Sequence, residues 1–88
     1  ECLQESGQAL GLSAEQSTLL TLEMIHGAAK LALASDASFA QLRSNVTSKG
    51  GTTEAALRSL SANDLQDLIT QALQAAAERS KEISQSFE

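Results

Sequence analysis

Ser13-Ala14-Glu15-Gln16-Ser17-Thr18-Leu19-Leu20-Thr21-Leu22-Glu23-Met24-Ile25-His26-Gly27-Ala28-Ala29-Lys30-Leu31-Ala32-Leu33-Ala34 decides the fold of this chain. The stretch opens on a capping box. The Ser13 hydroxyl can accept from the Gln16 amide while the Gln16 side chain reaches back to the amide of Ser13. A helix is predicted from there to about Ala34. Wound helically, Glu15, Gln16, Glu23, His26 and Lys30 fall into one polar stripe, and nearly everything else from Leu19 to Leu33 is apolar. A wet stripe so narrow marks a helix covered on more than one side.

The chain is too small to provide that cover by itself. Its 88 residues make one small domain at most. Apolar residues form 42 % of it, but many are alanines, with two Phe and no Trp or Tyr. A chain of this size buries roughly 60 % of the surface its unfolded form exposes, and an alanine-rich core of this length is marginal alone. Part of the long helix is therefore expected to face something outside the monomer. A homodimer is the expected state, with a higher oligomer left open.

The flanking sequence is helical too. Residues 2–10 read as the tail of a helix stopped by Gly11 in a left-handed C-cap. Ser38-Phe39-Ala40-Gln41 repeats the capping box and opens a short helix to about Asn45. Val46–Gly51 is a loop. Thr52 or Thr53 then caps a helix over Glu54–Leu60, and Ser61-Ala62-Asn63-Asp64 is a further start signal. The last helix sets Leu65, Leu68, Ile69, Ala72, Leu73, Ala76 and Ile83 on one face, with Gln66, Asp67, Gln71, Gln74, Glu78 and Lys81 on the wet side. Ser84–Glu88 are expected to fray. No segment alternates as a strand would, so the fold class is all-α, a small helical domain.

Charge and cysteine content exclude several functions. The net charge is −5, and the six basic residues are scattered, with no basic run interleaved with aromatics. That argues against nucleic acid and against an anionic membrane surface. No apolar stretch is long enough to span a bilayer. The single cysteine, Cys2, excludes an internal disulfide and fits a reducing compartment, so the cytoplasm is expected. The opening Glu1-Cys2-Leu3-Gln4 has no initiator Met and reads as the interior of a helix, so a piece of a longer protein is expected.

The chemistry sits in Asn45-Val46-Thr47-Ser48-Lys49-Gly50-Gly51-Thr52-Thr53-Glu54-Ala55-Ala56. Two glycines lead straight into a helix start, where the first backbone N–H groups lack helical partners. Glycine lets a ligand approach the backbone, and the helix dipole adds partial positive charge. Together these make a place for a small anion such as a carboxylate, with the hydroxyls of Ser48, Thr52 and Thr53 as further donors. The plainer reading is a turn and an N-cap, with Glu54 satisfying the dipole and no ligand at all. Both readings stand at this point.

Other residues carry less. His26, the single histidine, lies on the polar stripe with Glu23 and Lys30 and reads as a surface or interface residue rather than a general acid. No second histidine or cysteine stands at ligand spacing, so no metal site is expected. Cys2 has nothing beside it to make it reactive. Asp36, just before the short helix, could face a substrate, but a cap or loop role serves equally. Met24 and Phe39 read as core or interface packing.

Val46-Thr47-Ser48-Lys49-Gly50-Gly51-Thr52-Thr53-Glu54-Ala55-Ala56-Leu57 resembles the signature segment of the pyrroline-5-carboxylate reductases. That segment runs valine, two small hydroxylated residues, proline, two glycines and two threonines, then a helix. Gly27-Ala28-Ala29-Lys30-Leu31 resembles the family's preceding long helix. Leu42-Arg43-Ser44-Asn45-Val46 resembles its approach to the loop, and Ala72 to Ile83 its closing helix. Lys49 stands where the family has proline. The loop is then less rigid, since proline fixes φ, and the lysine could add positive charge near a carboxylate.

The resemblance implies the C-terminal dimerisation domain over residues 1–88, an intertwined helical dimer similar to the C-terminal domain of 6-phosphogluconate dehydrogenase. A preceding Rossmann domain, not present in this chain, would hold most of the NADPH or NADH. The implied reaction is reduction of 1-pyrroline-5-carboxylate to L-proline, the closing step of proline biosynthesis. The implied substrate site is Ser48, Gly50, Gly51, Thr52 and Thr53. Amides around Gly51, Thr52 and Thr53 would hold the carboxylate, the Thr53 hydroxyl would act catalytically near the ring nitrogen, and Ser48 would shape the pocket. No glycine-rich dinucleotide fingerprint follows a strand here, so the 88 residues alone are expected neither to bind nucleotide tightly nor to turn over. The alternatives are a stand-alone helical dimerisation or adaptor module without catalysis, and an acidic helical bundle unrelated to the family.

Overall fold

The computed structural model describes residues 1–86. Five helices follow one another: α1 (Cys2–Ala9), α2 (Ala14–Leu33), α3 (Phe39–Asn45), α4 (Thr52–Ala62) and α5 (Leu65–Ser86). No strand occurs among the described residues. The chain divides into two compact units, Glu1–Ser44 and a second beginning at Asn45.

In the first unit, α1 packs on α2. The link between them is set by Gly11, which takes φ +110°. The Gly11 amide donates to the Gln8 carbonyl (3.0 Å) and the Leu12 amide to the Gly7 carbonyl (3.1 Å). That pair of bonds is the Schellman ending, which satisfies the last carbonyls of a helix through a left-handed residue. Both halves of the capping box on α2 are present. The Gln16 amide donates to Ser13 Oγ (3.1 Å), and the Ser13 amide donates to Gln16 Oε1 (3.0 Å). The helix ends at Leu33 with Ala34 as its cap.

Where α1 meets α2, Gly7 and Ser17 approach each other closely. Ser17 is the only buried residue among those described, at 2 % exposure. Its hydroxyl donates to the Gln4 carbonyl (2.6 Å), and the Gln4 side-chain amide donates to Thr18 Oγ1 (2.6 Å). Gly7 faces Ser17 so closely that a β-carbon there would run into the hydroxyl. The sequence reading passed over this crossing.

Ser35 Oγ accepts from the Ala37 amide (3.0 Å) as the chain leaves α2. Ser38 then caps α3 as expected, its Oγ accepting from the Gln41 amide at 3.1 Å.

In the second unit, α4 packs on α5. Three boundaries differ from the sequence reading. First, α4 begins at Thr52 and runs to Ala62, and its N-cap is Gly51, in extended backbone with no side-chain cap bond. Neither Thr52 nor Thr53 caps, because both already lie inside the helix. Second, Ser61 belongs to α4 rather than to a start signal. The turn is made by Asp64 at φ +58°, a conformation that aspartate tolerates better than most residues. The Asp64 carbonyl accepts the first helical bond of α5 from the Leu68 amide, at 3.1 Å. Third, Ser84–Ser86 are helical. Phe87 and Glu88, also expected to fray, lie outside the described residues.

No apolar side chain among the described residues is buried. Leu33 is 89 % exposed and Phe39 83 %. Met24, Ile25, Leu68 and Leu73 are all half or more exposed as well. The apolar faces of α2 and α5 are formed, and among the described residues the unit that carries each face does not bury it. Met24 and Phe39 are therefore not core residues of the single chain.

Candidate functional site

The turn from Ser48 to Glu54 lies wholly within the second unit. Ser48, Gly50 and Thr52 are exposed, while Gly51, Thr53 and Glu54 are half-buried. The sequence therefore brought five proposed site residues into one accessible turn at the head of α4.

Both glycine amides are hydrogen-bonded. The Gly51 amide donates to the Ser48 carbonyl at 3.0 Å. The Gly50 amide donates to Glu54 Oε1 at 3.2 Å. Gly50 takes φ +75°, in the left-handed region that glycine enters without penalty. Gly51 has an ordinary φ of −85°. Its lack of a side chain serves a different purpose: a β-carbon there would lie 2.5 Å from Ser48 Oγ and 3.1 Å from the Ser48 carbonyl oxygen.

The first amides of α4 are left over. The helical bonds begin with Ala55, whose amide donates to the Gly51 carbonyl at 3.2 Å. The amides of Thr52, Thr53 and Glu54 have no acceptor among the described residues. Because Gly51 supplies the cap through backbone alone, the hydroxyls of Thr52 and Thr53 are not spent on capping either. Donors thus converge on one end of α4, where the dipole favours an anion.

Glu54 answers part of the plainer reading. Its carboxylate does turn back toward the helix start, but it takes the Gly50 amide and leaves those of Thr52 and Thr53 open. Oε1 also accepts from Arg58 Nη2 at 3.0 Å, one turn along the helix. Arg58 was not singled out in the sequence; the Glu54–Arg58 spacing of four residues was the signal that could have found it. Lys49 is exposed beside the glycines.

The remaining candidates lie elsewhere. His26 lines a shallow recess with Ala29, Lys30, Leu33 and Ala34, all from the last turns of α2 and its cap. Cys2 is exposed on α1. No group of three metal-ligating side chains occurs among the described residues. None of their helices is long and apolar enough to cross a membrane.

Comparison with known proteins gives one answer throughout. A family model described as pyrroline-5-carboxylate reductase dimerisation matches residues 1–83. A pyrroline-5-carboxylate reductase of Pseudomonas aeruginosa is 46 % identical over 85 residues, which cover 97 % of this chain and 31 % of that protein. One from Staphylococcus aureus is 46 % identical over 80 residues, 91 % of this chain and 30 % of that protein. One from Staphylococcus saprophyticus is 43 % identical over 79 residues, 90 % of this chain and 29 % of that protein. The chain thus spans about a third of the length of the curated relatives it matches. With that match running from the first residue almost to the last, the chain belongs to the pyrroline-5-carboxylate reductase dimerisation family.

Proposed function

We propose that this chain is the subunit-pairing and carboxylate-holding segment of a reductase that converts 1-pyrroline-5-carboxylate to L-proline, with NADPH or NADH as the reductant. The relatives carry that enzyme's name. The observation that carries the reading here is the pair of unpaired amides at Thr52 and Thr53, set behind the Gly50-Gly51 turn. The cytoplasm is the matching location for such an enzyme.

These residues do not fit the nucleotide itself. The described residues contain no strand and therefore no strand–glycine loop–helix cradle for a pyrophosphate. The nucleotide is assigned to another part of the reductase, and this chain's own residues bind and orient the substrate. The substrate is a five-membered ring with a carboxylate beside an imine nitrogen. Amides of Thr52 and Thr53 would hold the carboxylate, and the Thr53 hydroxyl would lie close enough to hydrogen-bond at the ring nitrogen. Holding a planar ring in one orientation is a large share of what such a reaction asks of a protein. Gly50, whose amide is taken by Glu54, contributes conformation rather than a donor.

The apolar faces of α2 and α5 support the pairing role. Two copies that cover each other's exposed leucines and isoleucines would bury apolar side chains that the described residues of one chain leave exposed. A homodimer is proposed, and the interlocked arrangement with it.

The test is an assay of proline formation and nucleotide oxidation by the full-length protein, wild type beside Thr53→Ala. A lost hydrogen bond at the ring nitrogen should lower kcat about fivefold to tenfold. A Thr53→Ala enzyme with unchanged kcat would remove Thr53 from the chemistry. A wild-type protein unable to make proline would leave the helical pairing module as the surviving reading.

A further inference from the structure

We infer that Glu54, steadied by Arg58, is a positioning residue for the carboxylate-holding turn: it ties the Gly50 amide to the first turn of α4 and so fixes the direction of the Thr52 and Thr53 amides. The inference rests on the carboxylate reading above and deepens it.

The loop needs such a tie. It contains no proline, and its two adjacent glycines give it the greatest backbone freedom in the chain. Packing does not restrain Gly50, since open space lies where a side chain would stand. The Ser48 carbonyl closes the turn on itself through the Gly51 amide but does not connect it to the helix. The Gly51 carbonyl meets the helix through the Ala55 amide, and the bond from the Gly50 amide to Glu54 Oε1 is the side-chain tie that brings Gly50 to it as well. The carboxylate is in turn held by Arg58 at 3.0 Å from the same oxygen. Glu54 is half-buried, whereas Arg58 is mostly exposed, so the glutamate is the fixed member and the arginine its support.

Electrostatics makes the inference decisive to test. A carboxylate placed beside an anion site repels the anion it serves. If charge were all that mattered, removing Glu54 would tighten binding of an anionic substrate. If Glu54 positions the turn, removing it loosens binding. The two roles predict opposite signs.

The experiment uses the full-length reductase, with 1-pyrroline-5-carboxylate as substrate. Glu54→Ala should raise the substrate KM about fivefold, the scale of one backbone hydrogen bond, with the nucleotide KM and the dimer unchanged. Glu54→Gln keeps an acceptor for the Gly50 amide and should recover most of that loss. Arg58→Ala should shift KM the same way by about twofold, the scale of an exposed ion pair, and carries the test if Glu54→Ala does not fold. A KM that falls or stays constant in Glu54→Ala overturns the inference. So does Glu54→Gln being as impaired as Glu54→Ala, or a parallel rise in the nucleotide KM. Gly51→Val separates the two levels. If it raises the substrate KM while Glu54→Ala does not, the positioning role fails and the carboxylate turn stands; if Gly51→Val has no effect, the carboxylate reading fails and this inference with it.

Discussion

Ser48 folds over Gly51 so tightly that its carbonyl accepts the Gly51 amide at 3.0 Å while its hydroxyl oxygen lies 2.5 Å from where a β-carbon of residue 51 would stand. The contact fixes where α4 begins. A methyl at position 51 would meet Ser48 Oγ at 2.5 Å, which the hydroxymethyl can relieve by rotating, and the Ser48 carbonyl at 3.1 Å, which it cannot.

Gly51→Ala should therefore shift the turn and raise the substrate KM several-fold, with a stability loss of about 1 kcal/mol. Ser48→Gly in the same chain removes the first clash but not the second. The double variant should recover part of the loss and not all of it. Steady-state kinetics on the four members of that cycle measure the coupling directly. Independent, additive effects would show that the two residues do not meet in the proposed reductase.

Gly50 makes a different prediction from its neighbour. Its φ of +75° is the obstacle to a side chain, since no atom stands in the way. Asparagine visits that region more readily than alanine does, and β-branched residues hardly at all. The substrate KM should therefore rise in the order Gly50→Asn, Gly50→Ala, Gly50→Val, with the alanine step costing about 1 kcal/mol. An order set by side-chain volume instead would mean that packing, not backbone conformation, selects the glycine.

The contrast between these two glycines shows what was legible in the sequence. A glycine pair before a helix announced the turn, and Ser13 and Ser38 announced the starts of α2 and α3, because a capping residue and its partner stand three positions apart. The start of α4 was misplaced by two residues because backbone at Gly51 does the capping there, and no side chain records it. The unpaired amides of Thr52 and Thr53 followed from the helix start, whereas no residue spacing marks the diversion of the Gly50 amide to Glu54. The lack of any buried apolar residue among those described was readable only as an imbalance between a wide apolar surface and a narrow wet one.

The crossing of α1 and α2 was not legible, because Gly7 and Ser17 meet across a turn and follow no helical period. Glycine inside a helix is ordinarily worth replacing, since Gly→Ala there gains about 0.5–1 kcal/mol. At Gly7 the sign should reverse. The new methyl would strike the Ser17 hydroxyl, whose bond to the Gln4 carbonyl holds the two helices together. Gly7→Ala should lower stability by about 1–2 kcal/mol, in the range for overpacking. In a Ser17→Ala background the same change should cost less, because the struck oxygen is gone. Urea denaturation at one fixed protein concentration reads both values, and a stabilising Gly7→Ala in the wild-type background would refute the close contact.

Leu73 provides the sharpest test of pairing. It is 66 % exposed near the middle of the α5 face that also carries Leu68, Ile69 and Ala76. In a chain that remained alone, replacing so exposed a side chain with aspartate should change stability by no more than about 0.5 kcal/mol. In a twofold dimer the same leucine is removed from both partners, and each buried leucine is worth about 1.5–3 kcal/mol. The aspartate adds two desolvated charges to that loss. Leu73→Asp should thus raise the dimer dissociation constant by at least about a hundredfold, visible by light scattering as a halved mass at micromolar concentration. In the monomer so released no apolar side chain among the described residues would be buried, so this helical segment should also melt without a cooperative transition. An unchanged mass together with an unchanged Tm would place the pairing surface away from α5 and leave its leucines unexplained.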